Sequence, residues 1–112
     1  MSLDDLIEAI PDAETELRKN LVHWVDDWKR NDQSLEALEH LIERWHGNVW
    51  FKDAATSNTF HRSWLNFKAE AIDNIGGMTM NERLYIFGLL DLWDASKEKE
   101  RDVLRIKLKA DA

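Results

Sequence analysis

The sequence predicts an all-α protein, folded as a single domain over residues 1–112 into a compact bundle of five or six helices around an apolar central helix at about 79–94. Three observations carry this. Apolar residues recur at helical spacing along most of the chain, only one proline and four glycines interrupt them, and 112 residues suffice for one hydrophobic core but not two.

Each element follows from its own residues. A short first helix opens at Ser2, whose hydroxyl can accept a backbone N–H, and stops before Pro11, which disfavours helical geometry at Ile10. The second runs from about Pro11 to Arg30 with Leu17, Leu21, Trp24, Val25 and Trp28 on one face. The third starts at Ser34, turns Leu35, Leu38, Leu41, Ile42 and Trp45 inward and ends at Gly47, expected to supply a left-handed stop. Residues 48–53, Asn-Val-Trp-Phe-Lys-Asp, lack helical alternation and read as a packed aromatic connection. A fourth helix is expected over roughly Ser57 to Ile75, with Phe60, Trp64, Phe67, Ala71 and Ile75 inward and Gly76-Gly77 after it. Thr79-Met80-Asn81-Glu82 is a capping box that fixes the start of the fifth helix. That helix is apolar on most sides, so it is expected to be buried on several faces, and Gly88 in its middle suggests the close crossing of another helix. A sixth, amphipathic helix spans about Ser96 to Lys109 with Val103, Leu104 and Leu108 inward.

Composition removes several classes of function. With no cysteine there can be no disulfide framework, thiolate metal site or cysteine nucleophile, and a reducing cytoplasm is the expected location. The first ten residues carry Asp4, Asp5 and Glu8 where a secretory signal would be basic, and no apolar stretch approaches the length of a membrane span. No Gly-rich phosphate loop, nucleophile elbow or paired-carboxylate motif is present, so neither catalysis nor a cofactor is expected. The serines Ser2, Ser34, Ser57 and Ser96 fall where helix caps belong. Glu43 and His46 have the Glu-x-x-His spacing of di-iron bundles, but such a site needs that pair twice and two further glutamates, and a histidine in the last turn of a helix is accounted for by the macrodipole. No metal is therefore expected.

The net charge of −7 is unevenly placed. Residues 1–40 hold eleven acidic side chains against four basic ones, a difference of −7, while residues 41–112 hold eleven of each sign. An acidic region repels phosphate backbones, which argues against nucleic acid, and attracts a basic protein surface. Asp4, Asp5, Glu8, Asp12, Glu16, Asp26 and Asp27 are thus the candidate contacts for a basic protein partner; the alternative is a solvated face that serves solubility. Five of the six tryptophans lie on helical stripes and are expected in the core. Trp50, with Phe51, sits on the connection instead, where an aromatic can anchor an interface or fill a gap between helix ends.

The segment Met78 to Ala95, Met-Thr-Met-Asn-Glu-Arg-Leu-Tyr-Ile-Phe-Gly-Leu-Leu-Asp-Leu-Trp-Asp-Ala, resembles the C-terminal part of small bacterial immunity proteins encoded beside polymorphic or contact-dependent toxins. The positions that carry the resemblance are Thr79, Asn81, Glu82, Arg83, Leu84, Gly88, Leu89, Asp91 and Asp94, under a third of the chain. What the resemblance implies is a helical hairpin in a cytoplasmic protein that binds a toxin's catalytic domain and occludes it without chemistry of its own. A basic nuclease toxin would suit the acidic first third. The competing expectation is a helical regulator or accessory subunit that self-associates through Trp50 and Phe51.

Overall fold

The computed structural model describes residues 1–110, which form an all-α bundle. Its helices are α1 (Leu3–Glu8), α2 (Thr15–Arg30), α3 (Leu35–Asn48), α4 (Ala54–Phe67), α5 (Met80–Ile86), α6 (Leu90–Ala95) and α7 (Glu98–Lys107). No helix is long and apolar enough to cross a membrane among the described residues.

Local chemistry sets the helix starts. Ser2 and Asp5 form a full capping box at α1, with Asp5 N donating to Ser2 Oγ and Ser2 N to the Asp5 carboxylate, each at 3.1 Å. Those bonds, led by the one from the Ser2 backbone, hold the Asp5 carboxyl below its ordinary range. Ser34 caps α3 and the expected Thr79–Glu82 box caps α5. The other two serines do different work: Asp53 caps α4, which begins three residues ahead of Ser57, and Ser96 donates to the Leu92 carbonyl. Between Pro11 and α2 the chain makes a separate 3₁₀ turn, Asp12–Glu14.

Helix ends depart further from expectation. Gly47 does not stop α3, which continues through Asn48 without a left-handed residue; Asn48 Nδ2 instead donates to the Arg44 carbonyl at 2.7 Å. Beyond Phe67 the helical path widens into a π turn, Lys68–Ile72, with Asp73 N donating to Lys68 O, and a 3₁₀ turn follows at Ile75–Gly77.

The expected single helix over 79–94 is broken at Gly88, whose φ is +68°. Gly88 N donates to Tyr85 O and Leu89 N to Leu84 O, the paired bonds that close a helix on a left-handed residue. Close approach is also real, but by side chains: the ion pair between Asp4 and Lys29, 2.8 Å long, occupies the space a Cβ at Gly88 would need. As a result, the α5–α6 junction enters the core in place of a whole helix. Leu84, Phe87 and Leu89 are buried, Tyr85 is exposed, and α6 buries no residue completely. Phe87 lies 6.2 Å from the Trp28 ring of α2 and 5.6 Å from Phe67 of α4, joining both walls.

Three of the tryptophans are core residues whose indole N–H finds an internal acceptor: Trp28 on Ser34 O, Trp45 on Asn20 Oδ1 and Trp64 on the Glu43 carboxylate. Trp24 and Trp93, expected inside, are only half-buried. Trp93 lies beneath the guanidinium groups of Arg101 and Arg105, 4.9 and 5.0 Å from its ring, and Val103 of α7 is turned partly outward. Lys107, by contrast, is buried. Its ammonium donates to the Trp28 carbonyl and sits 4.2 Å over the Trp28 ring, so α7 closes the C-terminal end of α2. Burial lowers its pKa from 10.5 to about 8.

Candidate partner-binding surface

The turn ahead of α2 and the connection ahead of α4 are far apart in sequence and adjacent in space. Glu14 is buried, and its Oε1 accepts the backbone N–H of Lys52 at 2.7 Å. From the other side Phe51 is held by rings, 6.0 Å from Trp45 in an edge-on contact and 5.9 Å from His46. Val49 on one side and Phe51 on the other pack against the core, and Trp50 between them is directed out. It is 92% exposed, whereas Phe51 is partly buried against the core. The two aromatics that the sequence paired therefore separate: Phe51 fills the gap between helix ends and Trp50 is free at the surface.

Trp50 borders a hollow of about 300 Å³ whose other walls include Asp12, Glu16, Leu17 and Lys52. Asp12 pairs with Arg18 at 2.9 Å, but its carboxylate is 94% exposed, and an open pair of this kind contributes little. Glu16 is exposed and has no ion pair among the described residues. Along α2, Glu16, Asn20, His23 and Asp27 follow at helical spacing on one flank. Asn20 identifies that flank as the one facing α3, through its bond from Trp45. A groove of about 820 Å³ runs between the two helices there, lined by His23, Trp24, Asp27, His40, Leu41 and Arg44 among others. The indole N–H of Trp24 has no acceptor among the described residues.

Six of the seven carboxylates expected to act together divide into two sets. Asp12, Glu16 and Asp27 lie on the α3 side of α2, whereas Asp4, Glu8 and Asp26 line a smaller hollow on its α1 side. Asp26 and Asp27 are neighbours in sequence but a helix turns about 100° per residue, which sends them to opposite flanks. Within the second set Asp4 is paired to Lys29 and Asp26 to Arg30 at 3.1 Å, and Asp5 is taken up by its cap. The cations that neutralise candidate carboxylates all belong to α2 itself, not to later helices.

Glu43 and His46 serve different neighbours. The Glu43 carboxylate accepts from Trp64 and pairs with Lys68 at 3.3 Å, and with Glu39 it raises the Lys68 pKa. His46 turns toward α4, with Nε2 3.1 Å from Ser57 Oγ and 3.3 Å from Ser57 O, and its ring is stacked 5.3 Å from His61 and 5.4 Å from Phe60. Burial, with a contribution from the His61 charge, pulls the His46 pKa below its ordinary 6.5. The macrodipole expected to favour its cation is thus outweighed: that effect amounts to about 0.3–1 kcal/mol at exposed sites, less than the cost of desolvating an imidazolium. Among the described residues no three metal-ligating side chains converge.

Comparison of the chain with protein-family models, with characterised proteins and with solved structures gives no match.

Proposed function

We propose that this chain is a non-catalytic binding domain of the immunity type, which occludes a basic toxin domain, such as a nuclease, with the α2–α3 face and the Trp50 connection. The observation that carries this reading is the placement of Trp50: a tryptophan 92% exposed, between Val49 and Phe51 that pack on the core, beside the exposed carboxylates of Asp12 and Glu16. An aromatic anchor held in place loses little freedom on binding, and tryptophan is among the residues that most often dominate interface energies. The surrounding negative charge would steer a basic partner onto it and disfavour acidic ones. Asp27 and Trp24 extend the same face along α2, and the resemblance of residues 78–95 to immunity proteins agrees with a role in which the partner, not this chain, carries the chemistry.

Exposure of Trp50 also suits the competing reading, self-association of a regulator or accessory subunit. Charge argues against it. A two-fold contact through this patch would bring together Asp12, Glu14 and Glu16 of both copies against one Lys52 from each.

The test is co-expression with the C-terminal domain of the protein encoded by the adjacent reading frame. Growth rescue by the wild-type chain that is lost in Trp50→Ala and in Glu16→Lys supports the reading. An adjacent domain that is not toxic, or rescue indifferent to both changes, contradicts it.

A further inference from the structure

We infer that the stacked His46–His61 pair is an acid-sensitive latch on the Trp50 connection, closed when His46 is neutral and opened when it gains a proton. The inference concerns regulation of the surface proposed above and rests on that reading only in giving Trp50 a partner.

The geometry makes His46 the hub of the seat. Its ring is nearly parallel to His61 of α4, 17° between planes, and to Phe60, and it meets Phe51 of the connection at 56°. Its Nε2 reaches the first turns of α4 at Ser57. Phe51 in turn packs on Trp45 and lies 6.4 Å from Phe60, so His46 completes a cluster whose other members are uncharged apart from His61. The groups facing the imidazole are therefore His61, Ser57 and Phe60 from α4 and Phe51 from the connection. Among the described residues no carboxylate lies within ion-pair distance of any histidine ring.

An added proton finds no carboxylate to balance it; loss of hydration on burial disfavours it and is a larger effect than the Ser57 carbonyl, which favours it. The new charge lies in a half-buried, mainly aromatic seat, stacked on a second imidazole, and both facts favour expulsion of the ring. Expulsion removes one wall of the Phe51 site. Phe51 would then keep only Trp45 and Phe60, and Lys52 its bond to Glu14. The downward displacement of the His46 pKa has the matching sign, since the unfolded chain binds a proton more readily than the closed seat does.

The experiment is a pH titration of the free protein between 7.5 and 4.5 by NMR, following the imidazole Hε1 of His46 together with the backbone amides of Trp50, Phe51 and Lys52. The expected result is a common midpoint, lower than 6.5, for the ring and the three amides. In His61→Gln, where the opposing charge is gone, that midpoint moves up. In His46→Phe, which keeps an aromatic in the seat, the three amides no longer titrate. Amides that stay still through the His46 transition, or that titrate unchanged in either variant, overturn the latch. Because no partner is present, such a failure leaves the binding reading to its own test, and a partner that ignores Trp50 leaves the latch to this one.

Discussion

Glu14 Oε1 and the backbone N–H of Lys52 are 2.7 Å apart, across 38 positions of sequence, and this one bond makes the turn before α2 and the connection before α4 a single unit. Glu14→Ala would leave that N–H without its acceptor in a half-buried place, a loss of about 1–3 kcal/mol. Glu14→Gln keeps an acceptor oxygen and should cost less than about 1 kcal/mol. Urea unfolding of the two variants checks the difference, and amide exchange at Trp50 and Phe51 should quicken in the alanine variant alone.

Trp50→Ala should leave stability within about 0.5 kcal/mol of the wild type, because the ring is exposed and packs on little. Affinity for the partner should fall by about 2 kcal/mol or more, close to thirtyfold. Calorimetry on the same preparation that gives the thermal midpoint separates the two effects.

Gly88 and the Gly76-Gly77 pair should respond oppositely to alanine. At Gly88 the φ of +68° and the overlying Asp4–Lys29 pair both penalise a side chain, and Gly88→Ala should cost about 1–2 kcal/mol. Gly76 and Gly77 have no positive φ and no atom near a new Cβ, so alanine at either should be neutral or stabilising by up to about 1 kcal/mol. Denaturant midpoints of the three variants test this ordering.

Lys107 makes stability depend on alkaline pH. Its folded pKa of about 8 lies below the unfolded 10.5, so between those values the unfolded chain holds more protons and folding gains as pH rises. Below pH 8 the penalty for the buried charge is fully present. Relative to Lys107→Met, which cannot titrate, the wild type should gain up to about 3 kcal/mol from pH 8 to 10.5. A difference between the two that is flat or shrinks over that range would show that the ammonium is not desolvated.

These expectations also mark how far the sequence could be read. Helical class, the Thr79–Glu82 capping box and most of the inward faces of α3 and α4 follow from short-range spacing: Leu38, Ile42, Trp45, Phe60, Trp64 and Phe67 are buried as their spacing requires, and Leu41 is half-buried at the edge of the groove. Gly88 was ambiguous because the apolar run continues on both sides of it; only the left-handed φ distinguishes a stop from a crossing. Trp50 and Phe51 share a segment with no periodicity; Phe51 is held in by the rings of Trp45, His46 and Phe60, and the segment is tied down by Glu14, an acid among acids with no local mark. The division of Asp26 from Asp27 was available from helical geometry alone once α2 was known to pack on α1 and α3 from different sides.

The most direct measurement is the association rate between this chain and the proposed toxin domain, from near-physiological salt, where the screening length is about 8 Å, upward, for charge reversals on each flank of α2. Glu16→Lys with Asp27→Lys should slow association by about tenfold or more, with the loss shrinking as salt rises, while Glu8→Lys with Asp26→Lys should change it far less. Equal effects from the two flanks, or none from the first with the fold intact, would contradict the proposed binding face.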